Sequence, residues 1–135
     1  KISIETPSDK NNILFNENLK RVFKPNTNSL TKYLLKTSIS FSSSDTLSAS
    51  GLNALTRTRA KASYQLYDYK TNKLIKTGSI DSFPTLGSTS SSLYATETSL
   101  KHIKERLNIS IAKKLYMHLN IMLSRMKWKL NQNFF

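Results

Sequence analysis

Cysteine is absent from the 135 residues. Its absence excludes disulfide frameworks, thiolate zinc sites and thiol nucleophiles from this chain. Acids are scarce too, with eight Asp and Glu against 21 Lys and Arg, and the only histidines are His102 and His118. General acid and base groups are therefore few. His102 and Glu105 stand three apart, a helical spacing that can join them, but no third ligand or orienting partner accompanies them. HExxH, GxSxG, P-loop and GxGxxG patterns are missing. Neither an enzyme nor a metal or other cofactor is expected. No apolar run approaches the roughly 20 residues that a spanning helix needs. Glycine and proline number three each and do not occur from residue 88 onward, which leaves the last third of the chain free to form one long helix.

Positive charge is what the sequence has in excess: the net value is +13, with a pI near 10.1. An anionic partner follows, whether nucleic acid, acidic lipid or an acidic protein surface. The same mixture of Lys, Asn and Ile can also arise from genome base composition, so charge alone does not choose among them. The length suits a single domain able to bury a core without covalent staples. The first residue is Lys rather than Met, so the chain is expected to begin inside a longer precursor that holds any signal peptide or lipid-bearing Cys.

Apolar periodicity divides the chain. Ile2 and Ile4 alternate with polar neighbours before Pro7, which predicts a strand over 1–7. Ser8 to Asn12 offers N-caps, and Ile13, Leu14, Phe15, Leu19, Val22 and Phe23 recur at helical spacing, so a helix is predicted over 9–23, stopped by Pro25. Over 32–42, Tyr33, Leu35, Thr37, Ile39 and Phe41 alternate with Lys32, Leu34, Lys36, Ser38 and Ser40, as in a half-buried strand. The Ser-rich segment 42–54 reads as a loop. Residues 56–80 read as a hairpin turning near Asp68 to Asn72, and 83–92 as a second loop. Leu100, Ile103, Leu107, Ile111, Leu115, Leu119 and Met122 then step by three or four along a helix over 96–130, with Thr96 and Thr98 as candidate caps and a basic tail. The expected fold is α+β: two helices packed on one face of a four-stranded, mostly antiparallel sheet, in the order β-α-β-β-β-α.

The hairpin, TRTRAKASYQLYDYKTNKLIKTGSI, has six basic residues and one acid. Ala60, Ala62, Tyr64 and Leu66 fall on one face and are expected in the core. Arg57, Arg59 and Lys61 fall on the other, in a row of about 13 Å at roughly 3.3 Å per residue. Cations held in a row repel one another, and Arg can grip phosphate through two parallel hydrogen bonds. Discouraging edge pairing is the alternative role for such a row. Lys70, Lys73 and Lys76 near the tip extend the patch or solubilise the turn. Tyr67 and Tyr69 are expected to be exposed and available to a partner.

These residues, with the later run SLYATETSLKHIKERLNISIAKKLYMHL, resemble the LptE-like lipopolysaccharide-assembly lipoproteins of Gram-negative outer membranes, in their alphaproteobacterial form. That form has a TR-containing strand leading to Y-x-L-x-D, met by Tyr64, Leu66 and Asp68. A Gly on the return strand follows, met by Gly78, then a Tyr-Ala pair, met by Tyr94 and Ala95, opening a helix with Arg near its second turn, met by Arg106. The resemblance covers about residues 56–119. It implies a two-helix, four-strand domain at the periplasmic side of the outer membrane, anchored by an N-terminal lipid and inserted as a plug in an LptD-like β-barrel. It also implies a role in barrel assembly and in lipopolysaccharide binding during export. The resemblance puts phosphate contacts at Arg57 and Arg59 and at Lys101 and Lys104; the hairpin pattern read above adds Lys61, Lys70, Lys73 and Lys76 to that set and makes Tyr67 and Tyr69 the expected partner contacts. Lipid A combines phosphates with acyl chains, and the basic row with neighbouring Tyr and aliphatic residues is expected to meet both. The basic extension Arg125 to Lys129 departs from the family pattern.

The rival is a basic nucleic-acid-binding module. The double-stranded RNA-binding domain has helix, three strands and helix, and the net charge would suit it. Its Lys cluster at the start of the last helix is met here only by the spaced Lys101 and Lys104. RNP-like aromatic strands, KH-type GxxG loops and zinc-finger spacings are missing, so a nucleic-acid partner is not expected.

Overall fold

The computed structural model describes residues 2–24, 30–47, 54–82, 85–88 and 93–133. Its elements are β1 Ile2–Glu5, α1 Lys10–Val22, β2 Tyr33–Leu47, β3 Ala54–Asp68, β4 Leu74–Asp81, β5 Thr85–Ser88 and α2 Leu93–Asn133. The sheet runs β1-β2-β3-β4. β1 is parallel to β2, and the other pairs are antiparallel. β5 follows β4 along the same edge of β3, against Leu55 to Thr58. The predicted order of strand, helix, three strands and helix is observed, with β5 as a short addition.

Three expectations change. The segment 42–54 is not all loop: β2 continues to Leu47 and β3 starts at Ala54, in unbroken register from Ser42 opposite Arg59 to Leu47 opposite Ala54. Serine is a weak strand former, but an established ladder carries it along, and the Ser43 and Thr58 hydroxyls meet at 3.1 Å. Residues 48–53 lie outside the described set. The predicted loop 83–92 contains β5, while residues 83–84 and 89–92 of it lie outside the description. Thr96 and Thr98 sit inside α2, which starts at Leu93, so neither caps it.

Period-two alternation decides which sheet face is covered. Leu35, Thr37 and Ile39 of β2 and Thr58, Ala60, Ala62, Tyr64 and Leu66 of β3 are buried on one face. Phe15 and Leu19 of α1, with Leu107, Ile111, Ala112, Leu115 and Leu119 of α2, complete that core. α1 is capped by Asp9, whose side chain accepts from the Asn12 N–H, and Lys20 and Arg21 in its last turn favour the negative end of the helix dipole. The helices are joined by a buried amide pair: Asn18 Nδ2 donates to Asn108 Oδ1 at 2.9 Å, and Asn108 Nδ2 donates to the Asn11 carbonyl at 3.1 Å.

Asn12 links α1 to the sheet. β1 covers the outer edge of β2 only as far as Lys36. Beyond it the Ile39 N–H donates to Asn12 Oδ1 at 2.7 Å, and Asn12 Nδ2 donates to the Ile39 carbonyl at 3.3 Å. A side-chain amide thereby replaces one rung of the missing strand. Asn12→Ala orphans two backbone groups in a buried setting and is expected to cost about 2–3 kcal/mol in urea unfolding.

Tyr64 holds the opposite edge. Its ring lies across Gly78 so closely that a Cβ there would stand 2.8 Å from the hydroxyl and 3.0 Å from Cζ. Its hydroxyl reaches His118 Nε2 at 2.9 Å. Gly78→Ala is expected to displace the ring and lower the melting temperature by several degrees, because overpacking typically costs about 1–3 kcal/mol. Burial raises the Tyr64 pKa above its ordinary value of 10.0. The folded state thus favours the neutral phenol, so this contribution is full below pH 10.0 and is lost as pH rises through the folded pKa. Tyr64→Phe is therefore expected to lose less stability than the parent chain between about pH 9 and about pH 11, measured by urea unfolding.

Candidate functional site

The helices cover one face of the sheet and leave the other open, and the strand register lays out that face row by row. By register Leu34, Tyr67 and Leu74 lie nearest the hairpin, and in the first polar row after them Glu5, Lys36, Gln65 and Thr77 stand side by side. Next come three hydroxyls, Ser38, Ser63 and Ser79, and then Ser40, Lys61 and Asp81. Ser42 beside Arg59 and Ser44 beside Arg57 end the series. Rows repeat at roughly 6.6 Å and strands at about 4.8 Å, so the cations form a column flanked by hydroxyls.

Arg57, Arg59 and Lys61 are all exposed, as their alternation predicts. Among the described residues none of the three takes part in a salt bridge. Ser40 Oγ donates to the Lys61 carbonyl at 3.5 Å. Ser82 carries the ladder past the end of β4, its N–H donating to the Ala60 carbonyl and its Oγ accepting from the Ala60 N–H, each at 2.9 Å. The strand bearing the cations is thus held on both sides.

A solvent-open hollow of about 700 Å³ lies over the first three polar rows, lined by Glu5, Lys36, Ser38, Lys61, Ser63, Gln65, Thr77 and Ser79 among others. Two lysines bracket a floor of hydroxyl and amide groups. Such a surface can hydrogen-bond sugar hydroxyls and neutralise phosphate oxygens. Lys36 is the member that sequence reasoning missed. Its Nζ stands 5.2 Å from the centre of the Tyr67 ring, whose hydroxyl donates to Gln65 Oε1 at 3.0 Å. Period-two alternation already put Lys36 on the polar face of β2; what was lacking was the register that sets it beside Gln65.

The eight predicted phosphate ligands do not converge. Arg57, Arg59 and Lys61 share the open face. Lys70 and Lys73 lie at the β3–β4 turn, and Lys76 borders a separate hollow with His118 and Arg125 of α2. Lys101 and Lys104 belong to α2, in the helix layer behind the sheet, where Lys104 Nζ stands 5.8 Å from the Phe41 ring centre. Serines stand beside the basic row on the β2 side, and on the other side Leu86 of β5 stands opposite Arg57. Tyr67 is half-buried on the open face, and Tyr69 is exposed at the turn. His102 Nδ1 and Glu105 Oε2 meet at 3.9 Å on the helix surface, and no group of three or more metal-ligating side chains occurs among the described residues. Within those residues no helix is long and apolar enough to cross a membrane.

No protein-family model matches this sequence, nor does any curated protein sequence. The fold, however, is shared with solved structures of bacterial lipoproteins. One from Caulobacter crescentus superposes with a TM-score of 0.70 at 18% identity, over 93% of this chain and 91% of its own. Rare lipoprotein B from Shewanella oneidensis gives a TM-score of 0.70 at 11% identity, over 93% and 98%. A minor lipoprotein from Acinetobacter baumannii gives 0.64 at 14% identity, over 86% and 87%. At these identities the likeness is one of architecture.

Proposed function

We propose that this chain is the folded domain of an outer-membrane lipoprotein of the LptE-like, lipopolysaccharide-assembly type, and that its open sheet face binds the phosphorylated saccharide of lipopolysaccharide. The observation that carries this reading is the column Arg57, Arg59 and Lys61, unpaired among described groups and set beside rows of hydroxyls, on a fold shared with bacterial lipoproteins. Arginines take phosphate oxygens in pairs, Lys36 and Lys61 add point charge, and Ser38, Ser63 and Ser79 meet sugar hydroxyls. The role is one of binding, without catalysis. An LptD-like barrel is the proposed protein partner, with Tyr67 as its contact on this face, and a lipid on a preceding segment is the proposed anchor. The site of action is the periplasmic side of the outer membrane.

The test titrates the chain with lipopolysaccharide, with its dephosphorylated form and with duplex RNA at two salt concentrations. Lipopolysaccharide should bind tightest, weaken with dephosphorylation and weaken with salt. Charge reversal at Arg57 and Arg59 should reduce binding by roughly 10-fold or more for each arginine, since hydrogen bonds to charged groups contribute about 1.5–3 kcal/mol. Unchanged lipopolysaccharide affinity in that variant would falsify the assignment of this face. Preference for duplex RNA would move the protein to the nucleic-acid class.

A further inference from the structure

A second basic surface lies at the hairpin end of the sheet, apart from the open-face column. Three connections define this end: Tyr33 pairs with Asp68, the Tyr69 N–H donates to the Lys32 carbonyl at 3.0 Å, and the Asp68 N–H donates to the Lys73 carbonyl at 2.9 Å. Lys32, Lys70, Lys73 and Lys76 are exposed there. Tyr69 and Leu74 are 51% and 52% exposed, and Leu30, two residues before Lys32, is 80% exposed. The surface continues onto α2 through a hollow of about 310 Å³ lined by Lys76, His118, Ile121, Met122, Arg125 and Met126.

Asp68 is the acid of this turn, and its carboxylate is engaged internally. Its Oδ1 accepts from the N–H groups of Lys70 at 3.0 Å and Thr71 at 3.4 Å. The other acids of the sheet, Glu5, Asp45 and Asp81, lie up the strands, Glu5 beside Lys36 and Asp81 beside Lys61. Charge and exposed apolar surface therefore coincide where acids are fewest. Exposed Leu and Tyr beside several lysines match a bilayer interface, where lysine heads meet lipid phosphates while aromatic and aliphatic groups enter the headgroup layer. The open face offers the opposite chemistry, cations among hydroxyls, which suits a saccharide rather than an interface.

We propose that the hairpin end docks on an anionic lipid bilayer: Lys32, Lys70, Lys73 and Lys76 supply the charge, and Leu30, Tyr69 and Leu74 enter the headgroup region. This contact is distinct from the proposed saccharide face. It reassigns Lys70, Lys73, Lys76 and Tyr69 from lipopolysaccharide and partner contacts to the membrane surface. On this reading the domain stands on its turn, with the open sheet face at its side.

The test is co-flotation of the purified chain with vesicles of phosphatidylethanolamine and phosphatidylglycerol, compared with phosphatidylcholine vesicles, at low and raised salt. The expected result is binding to the anionic vesicles alone, weakened by salt. Lys70→Glu with Lys73→Glu should lower it by at least about fivefold for each lysine. Arg57→Glu with Arg59→Glu, an equal change of net charge, should retain most of it. Because the chain has no cysteine, Leu74→Cys and Ser42→Cys each give one labelling position for an environment-sensitive dye. A blue shift on anionic vesicles is expected at Leu74→Cys only. Equal losses in the two charge-reversed variants, a shift at neither or both dye positions, or no flotation with anionic vesicles would each overturn the proposal. The lipopolysaccharide titration above reports separately on the open face, so either idea can fail while the other stands.

Discussion

The helix layer sits where it does because β3 is small where the layer needs room. Ala60 and Ala62 are fully buried on the covered face of that strand, in a core otherwise built mainly from Leu, Ile and aromatic side chains. Each could be replaced by a larger apolar residue only by pushing the helices outward. The same strand alternates Arg59 and Lys61 with those alanines and presents them to solvent. Core packing and the exposed cations are therefore separated by no more than the thickness of one backbone, and the period of two that fixes one also fixes the other.

The polar contacts inside the molecule set direction more than they add strength. Asn18 and Asn108 meet in the buried interface between the helices, where an apolar pair would allow sliding and a hydrogen-bonded amide pair does not. Tyr64 extends the same logic to the sheet. Its ring needs the bare backbone of Gly78, and its hydroxyl needs His118 of α2, so strand β4 and the long helix are positioned by one side chain. Phe23 and Tyr116, in edge-to-face contact at 5.0 Å, tie the end of α1 to that same stretch of α2.

The alternations over Tyr33 to Phe41 and Ala60 to Leu66 are legible in the sequence because each residue's neighbours two away settle its face. The spacing Leu107, Ile111, Leu115, Leu119 is legible for the corresponding helical reason. Boundaries were harder. Ser42 to Ser44 continues a strand because the partner strand continues opposite it, which is information held in register, not in local composition. The layer to which each basic residue belongs is information of the same kind. Lys61 and Lys104 are both cations in amphipathic segments, yet one faces the open side of the sheet and the other belongs to the helix layer behind it. In the sequence Asn12 is one of several cap candidates, and only tertiary structure reveals it as the partner of Ile39.

That role of Asn12 has a consequence for assembly. A sheet grows when a new strand finds free N–H and C=O groups along an edge. β1 covers the edge of β2 at its start, and the next position is already taken by the amide of Asn12, which is held in turn by Asp9 at 2.7 Å. An extended chain approaching β2 in continuation of β1 meets a side chain that must first be expelled from a satisfied, buried position. The domain thus carries its own stop against extension of β1 along this edge at Ile39, supplied by a helix residue and requiring no charge at the edge itself.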